Sequence, residues 1–141
     1  MSNTFQCEIV SAQHKIFSGP ASMLFASGTM GDLGIAPRHA PLITLLRPGP
    51  VRVLMPDGKE EFLFVGGGIL EVQPHVVNVL ADSAVRGDEI DAGAAERAKE
   101  DAERELANRT GDMAVADAEA KLAEAVAQLQ ALEQLRKKTK L

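Results

Sequence analysis

Three glycines recur at every third position, Gly28, Gly31 and Gly34. Glycine-rich loops can present backbone N–H groups to a phosphate, but the dinucleotide fingerprint needs G-x-G-x-x-G opening a helix after a strand. Here the repeat runs into Pro37-Arg38-His39-Ala40-Pro41 and then the apolar run Leu42–Leu46 and Pro48-Gly49-Pro50. Glycine permits positive φ, and proline fixes φ while removing a donor. The stretch therefore reads as a rigid, tightly turned corner between strands. Gly66-Gly67-Gly68 could also face an anion, although a bulge or a close contact with a neighbouring chain is the simpler reading.

The remaining reactive residue types do not assemble into a motif. His14, His39 and His75 lack metal-ligand spacing and cysteine partners. His39, between two prolines, reads as a loop residue whose ring bonds to backbone. Cys7, the single cysteine, lies in a strand pattern and reads as a small buried apolar group. No serine sits in a nucleophile elbow. The one enzymatic alternative is convergence of His39, His75 and Glu71 on a metal. A basic run, Arg136-Lys137-Lys138-Thr139-Lys140, closes the chain. It suits a helix C-terminus and equally an acidic partner.

Bulk properties narrow the field. With 141 residues the chain holds one ordinary domain, or a small one with an appendage. A net charge of −5 argues against general nucleic-acid binding. One cysteine excludes an internal disulfide and fits a reducing compartment. The start MSNTFQCEIV lacks the pattern of a signal peptide. No stretch approaches ~18 apolar residues, the length of a helical span. A role at a membrane would then be peripheral, through a partner.

These residues are carried by two halves of different composition. All seven prolines and all five phenylalanines lie at or before Pro74. Residues 87–141 hold 14 of the 21 alanines, with 9 Lys/Arg and 13 Asp/Glu. The first half predicts short antiparallel strands: Phe5–Ala12, Lys15–Phe17 with Ala21–Ala26, Val51–Met55, Glu60–Val65, Ile69–Gln73 and His75–Ala81. Pro56-Asp57-Gly58-Lys59 predicts a hairpin turn. The second half predicts two helices. One opens near Asp88 or Asp91 with Ala94, Ala98, Ala102 and Leu106 on one face, and ends at Gly111. The other is capped by Asp112 and carries a heptad seam of Val115, Leu122 and Leu129 with Ala118, Ala125 and Leu132 between them. The connection is short, so the helices fold back antiparallel. The fold class expected is β + α: an antiparallel β-sandwich over 1–86, then a two-helix hairpin over 87–141.

The stretch Gly31–Ile43, G-D-L-G-I-x-P-x-H-A-P-L-I, resembles the epsilon subunits of bacterial F-type ATP synthases, counterparts of the mitochondrial delta subunit. Gly67–Pro74, Val79–Ala84 with Ile90-Asp91, and Gly111-Asp112 followed by Leu122–Leu129 resemble further segments of that family, in the same order. The resemblance implies a non-catalytic rotor subunit that couples proton flow through the c-ring to ATP synthesis and inhibits ATP hydrolysis through its helices. It implies the gamma subunit, the c-ring and, in an extended state, the catalytic head as partners. It implies a peripheral place on the cytoplasmic face of the bacterial inner membrane, with neither nucleic acid nor direct membrane insertion.

The interface expected on this basis is Gly31, Asp32, Ile35, Pro37, Arg38, His39, Pro41 and Leu42, with a bend at Leu46–Pro50. Arg136, Lys137, Lys138 and Lys140 form the expected regulatory tail. Some relatives bind ATP through I/L-D-x-x-R-A. Here Ile90, Asp91 and Ala95 match, but Ala94 stands where the arginine would be. Without a guanidinium fork for phosphates, the expected cofactor is none. The alternative is a sandwich-plus-coiled-coil binding module with another partner.

Overall fold

The structure, a computed structural model, describes residues 3–108 and 112–139. The chain divides into two compact units, one ending at Asp88 and the other starting at Glu89. The first unit contains β1 (Phe5–Val10), β2 (Lys15–Ala21), β3 (Met23–Gly28), β4 (Gly31–Ile35), β5 (Leu42–Leu54), β6 (Glu60–Val72), β7 (Val76–Ala81) and β8 (Ala84–Arg86). The second contains α1 (Ala92–Asn108) and α2 (Asp112–Thr139).

The strands run in the order β2-β1-β7-β6-β5-β3-β4, with β8 also paired to β6. Every pair is antiparallel except β1 and β7, which run parallel. Alternate residues turn inward, as the two-residue strand period requires. Cys7, Ile9, Leu24, Ile35, Val53, Leu63, Leu70, Val72, Val77 and Val79 fill the core of this β-sandwich. Deep burial of the Cys7 thiol, with Glu8 beside it, pushes its pKa up to about 12. The thiol stays protonated and unreactive at neutral pH.

Several elements are longer than the sequence pattern predicts. Val51–Met55 and the Leu42–Leu46 run belong to one strand, β5, which passes straight through Pro48-Gly49-Pro50. The prolines are tolerated because β3 leaves the ladder there: its register with β5 breaks between Phe25 and Gly28. Ser27 Oγ donates to Pro50 O at 3.2 Å across that gap. Likewise Glu60–Val65 and Ile69–Gln73 merge into β6 through the three glycines. Gly67 and Gly68 take φ of 97° and 148°. There β6 exchanges one neighbour for another: Leu63–Val65 pair with β8 and Gly68–Val72 with β7. The Gly-rich corner also contains a strand, β4, and Gly19-Pro20 lie inside β2, an edge strand where a missing donor costs little.

The turn at Pro56-Asp57-Gly58-Lys59 closes as its residue types demand. Met55 N bonds Lys59 O at 2.8 Å, Asp57 Oδ1 accepts from Lys59 N at 2.9 Å, and Gly58 has φ 87°. Arg86 fixes the last strand. Its guanidinium reaches Glu61 Oε1 at 2.6 Å and Ile16 O at 2.7 Å, so one side chain ties β8 to β6 and β2.

In the helical unit, Asp91 caps α1: its Oδ1 accepts from Ala94 N at 3.1 Å. The buried side of α1 is Ala95 and Ala102, with Leu106 half-buried, whereas Ala94 and Ala98 are exposed. A strict four-residue repeat drifts around a 3.6-residue helix, which carries Ala94 and Ala98 off the contact line. On α2 the buried side chains are Ala118, Ala125, Ala127 and Ala131. Leu122, Leu129 and Leu132 are only half-buried, so alanine rather than leucine forms the seam. Gly111, the expected helix stop, lies outside the described residues.

A Cβ at Gly68 would collide with the Leu80 carbonyl oxygen and sit 2.9 Å from Ala81 Cα, both backbone. Gly58 has open space around it. Gly68→Ala should therefore cost ~3 kcal/mol or more in urea unfolding, against ~1–2 kcal/mol for Gly58→Ala, where only the left-handed backbone is penalised.

Candidate functional site

A solvated sheet face should carry polar residues at alternate positions. The outer face of β5–β6–β7 does not. Leu45 pairs with Ile69, and Ile69 with Leu80, so the three form one row across the strands. They are 59%, 39% and 47% exposed. Val10 on β1 extends the row beside Leu80, and Ile43, 72% exposed, stands two residues from Leu45 on the same face. Such cross-strand apolar rows on a surface mark contact sites. The sequence reading missed these residues. The signal was present: in 42–46 and 69–72 the polar half of the strand alternation is largely absent.

The next row is polar from β2 to β6 and ends on Ile43 of β5. Ser18, Glu8, Asn78, Glu71 and Ile43 are successive register partners across β2, β1, β7, β6 and β5. Glu8 Oε1 accepts from Ser18 Oγ at 2.9 Å and Gln6 Nε2 at 3.1 Å, and Lys15 Nζ lies 3.6 Å from Oε2. The bonds from Gln6 and Ser18 hold the Glu8 carboxyl below its usual pKa, with a lesser pull from Lys15.

The expected interface residues separate. Asp32 on β4 is exposed and meets Arg47 Nη2 at 2.8 Å. Gly31 takes φ 130° with free space around it. Arg38 adopts φ 63°, a left-handed conformation unusual for a residue with a Cβ. Its N–H is pinned to Pro74 O at 2.9 Å, and its guanidinium reaches Asn3 Oδ1 at 3.3 Å. His39 Nδ1 lies 2.7 Å from Ala40 O, the ring-to-backbone contact its loop position suggests. Pro37 is half-buried and Pro41 exposed. Ile35, however, is 1% exposed and belongs to the core, and Leu42 packs partly against it. Neither gives a partner much side chain to grip. Pro48 and Pro50 lie within β5 rather than at a free bend.

Ile90 is half-buried and Asp91 is engaged as the cap of α1. Between α1 and α2 runs a groove lined by alanines and by Asp101, Glu105, Glu124 and Lys121. Lys121 is drawn to Asp117 at 3.1 Å and Glu105 at 3.8 Å, and its pKa is raised, chiefly by Asp117. Asp101 is in turn paired with Arg104 at 3.0 Å. The side chains of Arg136, Lys137 and Lys138, and the whole of Lys140, lie outside the described residues. Among the described residues no group of three or more His, Cys, Asp and Glu side chains is placed to hold a metal ion.

Comparison with known proteins agrees with this architecture. Residues 4–87 match the family model described as the ATP synthase delta/epsilon chain β-sandwich domain, and residues 88–133 its long α-helix domain. The ATP synthase epsilon chain of Stenotrophomonas maltophilia is 57% identical over 138 residues, covering 98% of this chain and 99% of that one. The epsilon chain of Nitrosococcus oceani is 55% identical with the same coverage. That of Acinetobacter baumannii is 52% identical over 94% of this chain and 96% of its own.

Among solved structures, a chain of the Euglena gracilis mitochondrial ATP synthase has a TM-score of 0.81 at 21% identity, over 93% of this chain and 82% of its own. A chain in the central stalk and c-ring of the Tetrahymena thermophila enzyme has a TM-score of 0.64 at 12% identity, over 91% and 96%. These two share the fold. A sandwich with an apolar outer row, a capped helical hairpin, both family models in order and relatives alike over nearly their whole length agree: the chain belongs to the epsilon chain family of ATP synthases.

Proposed function

We propose that this subunit is a non-catalytic adaptor of the rotor, which couples proton-driven rotation of the c-ring to ATP synthesis. The observation that carries this reading is the exposed row Leu45–Ile69–Leu80 with Ile43. A rigid sheet loses little entropy on docking, and each of these side chains recovers ~1–2 kcal/mol when a partner covers it. The gamma subunit is the partner on this face. The corner from Pro37 to Pro41, with Asp32, meets the polar loops of the c-ring. The pinned, left-handed Arg38 supports this, because a strained residue held by its surroundings belongs to a preorganised contact. No described helix is long and apolar enough to cross a membrane. The subunit then sits at the cytoplasmic face of the inner membrane through these partners.

The helical unit supplies regulation. Its helices meet through alanines, each burying less apolar area than leucine, while Leu122, Leu129 and Leu132 stay half-exposed. A hairpin held this weakly can exchange its own contacts for others at a difference of a few kcal/mol. In the extended state the leucines lie against gamma and the catalytic head, and the tail from Arg136 to Lys140 meets acidic residues there, inhibiting hydrolysis. ATP is left out of this reading because Ala94 stands where the arginine of the I/L-D-x-x-R-A motif would be.

Leu45→Ser combined with Ile69→Ser should weaken binding of the full chain to purified gamma subunit by at least ten-fold in calorimetry, with the unfolding midpoint unchanged; undiminished affinity would refute the docking face. Removing residues 136–141 should raise ATP hydrolysis by the reconstituted complex while the subunit stays bound, and an unaltered rate would assign inhibition elsewhere.

A further inference from the structure

Glu71 lies one row from the apolar contacts, between Ile43 of β5 and Asn78 of β7. Two amides orient its carboxylate: Gln73 Nε2 at 3.3 Å and Asn78 Nδ2 at 3.4 Å. Both reach Oε1, and Oε2 has no donor among the described residues. Two other acids of the sheet are matched with cations, Glu8 with Lys15 and Asp32 with Arg47, and Asp82 lies apart, beside Gly67. Glu71 has no cation partner among the described residues.

Glu71 also lines a shallow depression with Pro41, Leu42, Ile43, Val72 and Gln73; Val72 is 1% exposed, so its apolar side chains are those of Pro41, Leu42 and Ile43. Apolar walls with a single fixed anion suit one kind of occupant. A lysine or arginine lays its methylene stem along apolar surface and brings its charge to the carboxylate. A neutral or acidic side chain would leave the carboxylate desolvated and unpaired.

Resting on the docking reading above, we propose that this depression receives a basic side chain of the gamma subunit, and that Glu71 sets the register of gamma on the sheet. The apolar row supplies affinity but is compatible with sliding along the strands. One charge pair, at a fixed distance from the row, admits a single seating. Glu71 is thus a specificity-determining residue of the interface, and charge complementarity rather than area selects the partner.

Full-length chain titrated with purified gamma subunit tests this. Glu71→Gln keeps the shape and should weaken binding about ten-fold at about 50 mM salt. The deficit should shrink to within about two-fold at about 500 mM, where screening removes the advantage of the charge. Glu103→Gln, the same charge change on α1, should bind as the unmodified chain does. Equal affinity of the Glu71→Gln chain at low salt, a deficit independent of salt, or an equal loss in the Glu103→Gln chain would each overturn the assignment. If those results accompany lost binding in the Leu45→Ser/Ile69→Ser chain, docking stands and only the cation seat fails. If that chain binds normally, the docking face itself is wrong.

Discussion

The ladder between β5 and β6 holds the sandwich together. It runs from the Leu42–Val72 pair to the Leu54–Glu60 pair with no bulge. Every other strand except β1, β2 and β4 pairs directly with one of these two. Both strands contain residues that ordinarily stop a strand, two prolines in one and three glycines in the other, set close together across the ladder. The prolines fall where β3 withdraws, and the glycines where β6 changes partners. Residues that would weaken a flat sheet here let a single pair of long strands carry β3 on one side and both β7 and β8 on the other.

The inner and outer faces of the same strands have separate tasks. Inward, Leu70, Val72, Val77 and Val79 are almost wholly buried and fix the register, since a slip of one residue would turn them to water. Outward, Ile69 and Leu80 take positions where polar side chains would have been adequate for folding. An apolar row that the fold does not need is costly to leave in water. The polar row beside it, from Ser18 to Glu71, gives the surface a direction.

The helical unit follows the opposite strategy. Alanine seams let helix backbones approach closely but bury little area per residue. Alongside this thin core the unit has the Asp91 cap at the start of α1 and the exposed pairs of Lys121 with Glu105 and Asp117, which add little in water.

Residue types at close range were sufficient to read the Pro56–Lys59 turn, a helix start at Asp88 or Asp91, the β-then-α order and the family motifs, because each depends on backbone freedom or on contacts within a few positions. They were not sufficient for the continuity of β5 and β6, for the true seam of the helices, or for the burial of Ile35. A proline is tolerated or not according to what lies across the ladder, and an alanine is core or surface according to helix phase. The exposed apolar row was the least visible. Leu45, Ile69 and Leu80 are scattered along the chain, and only strand register brings them side by side on one face.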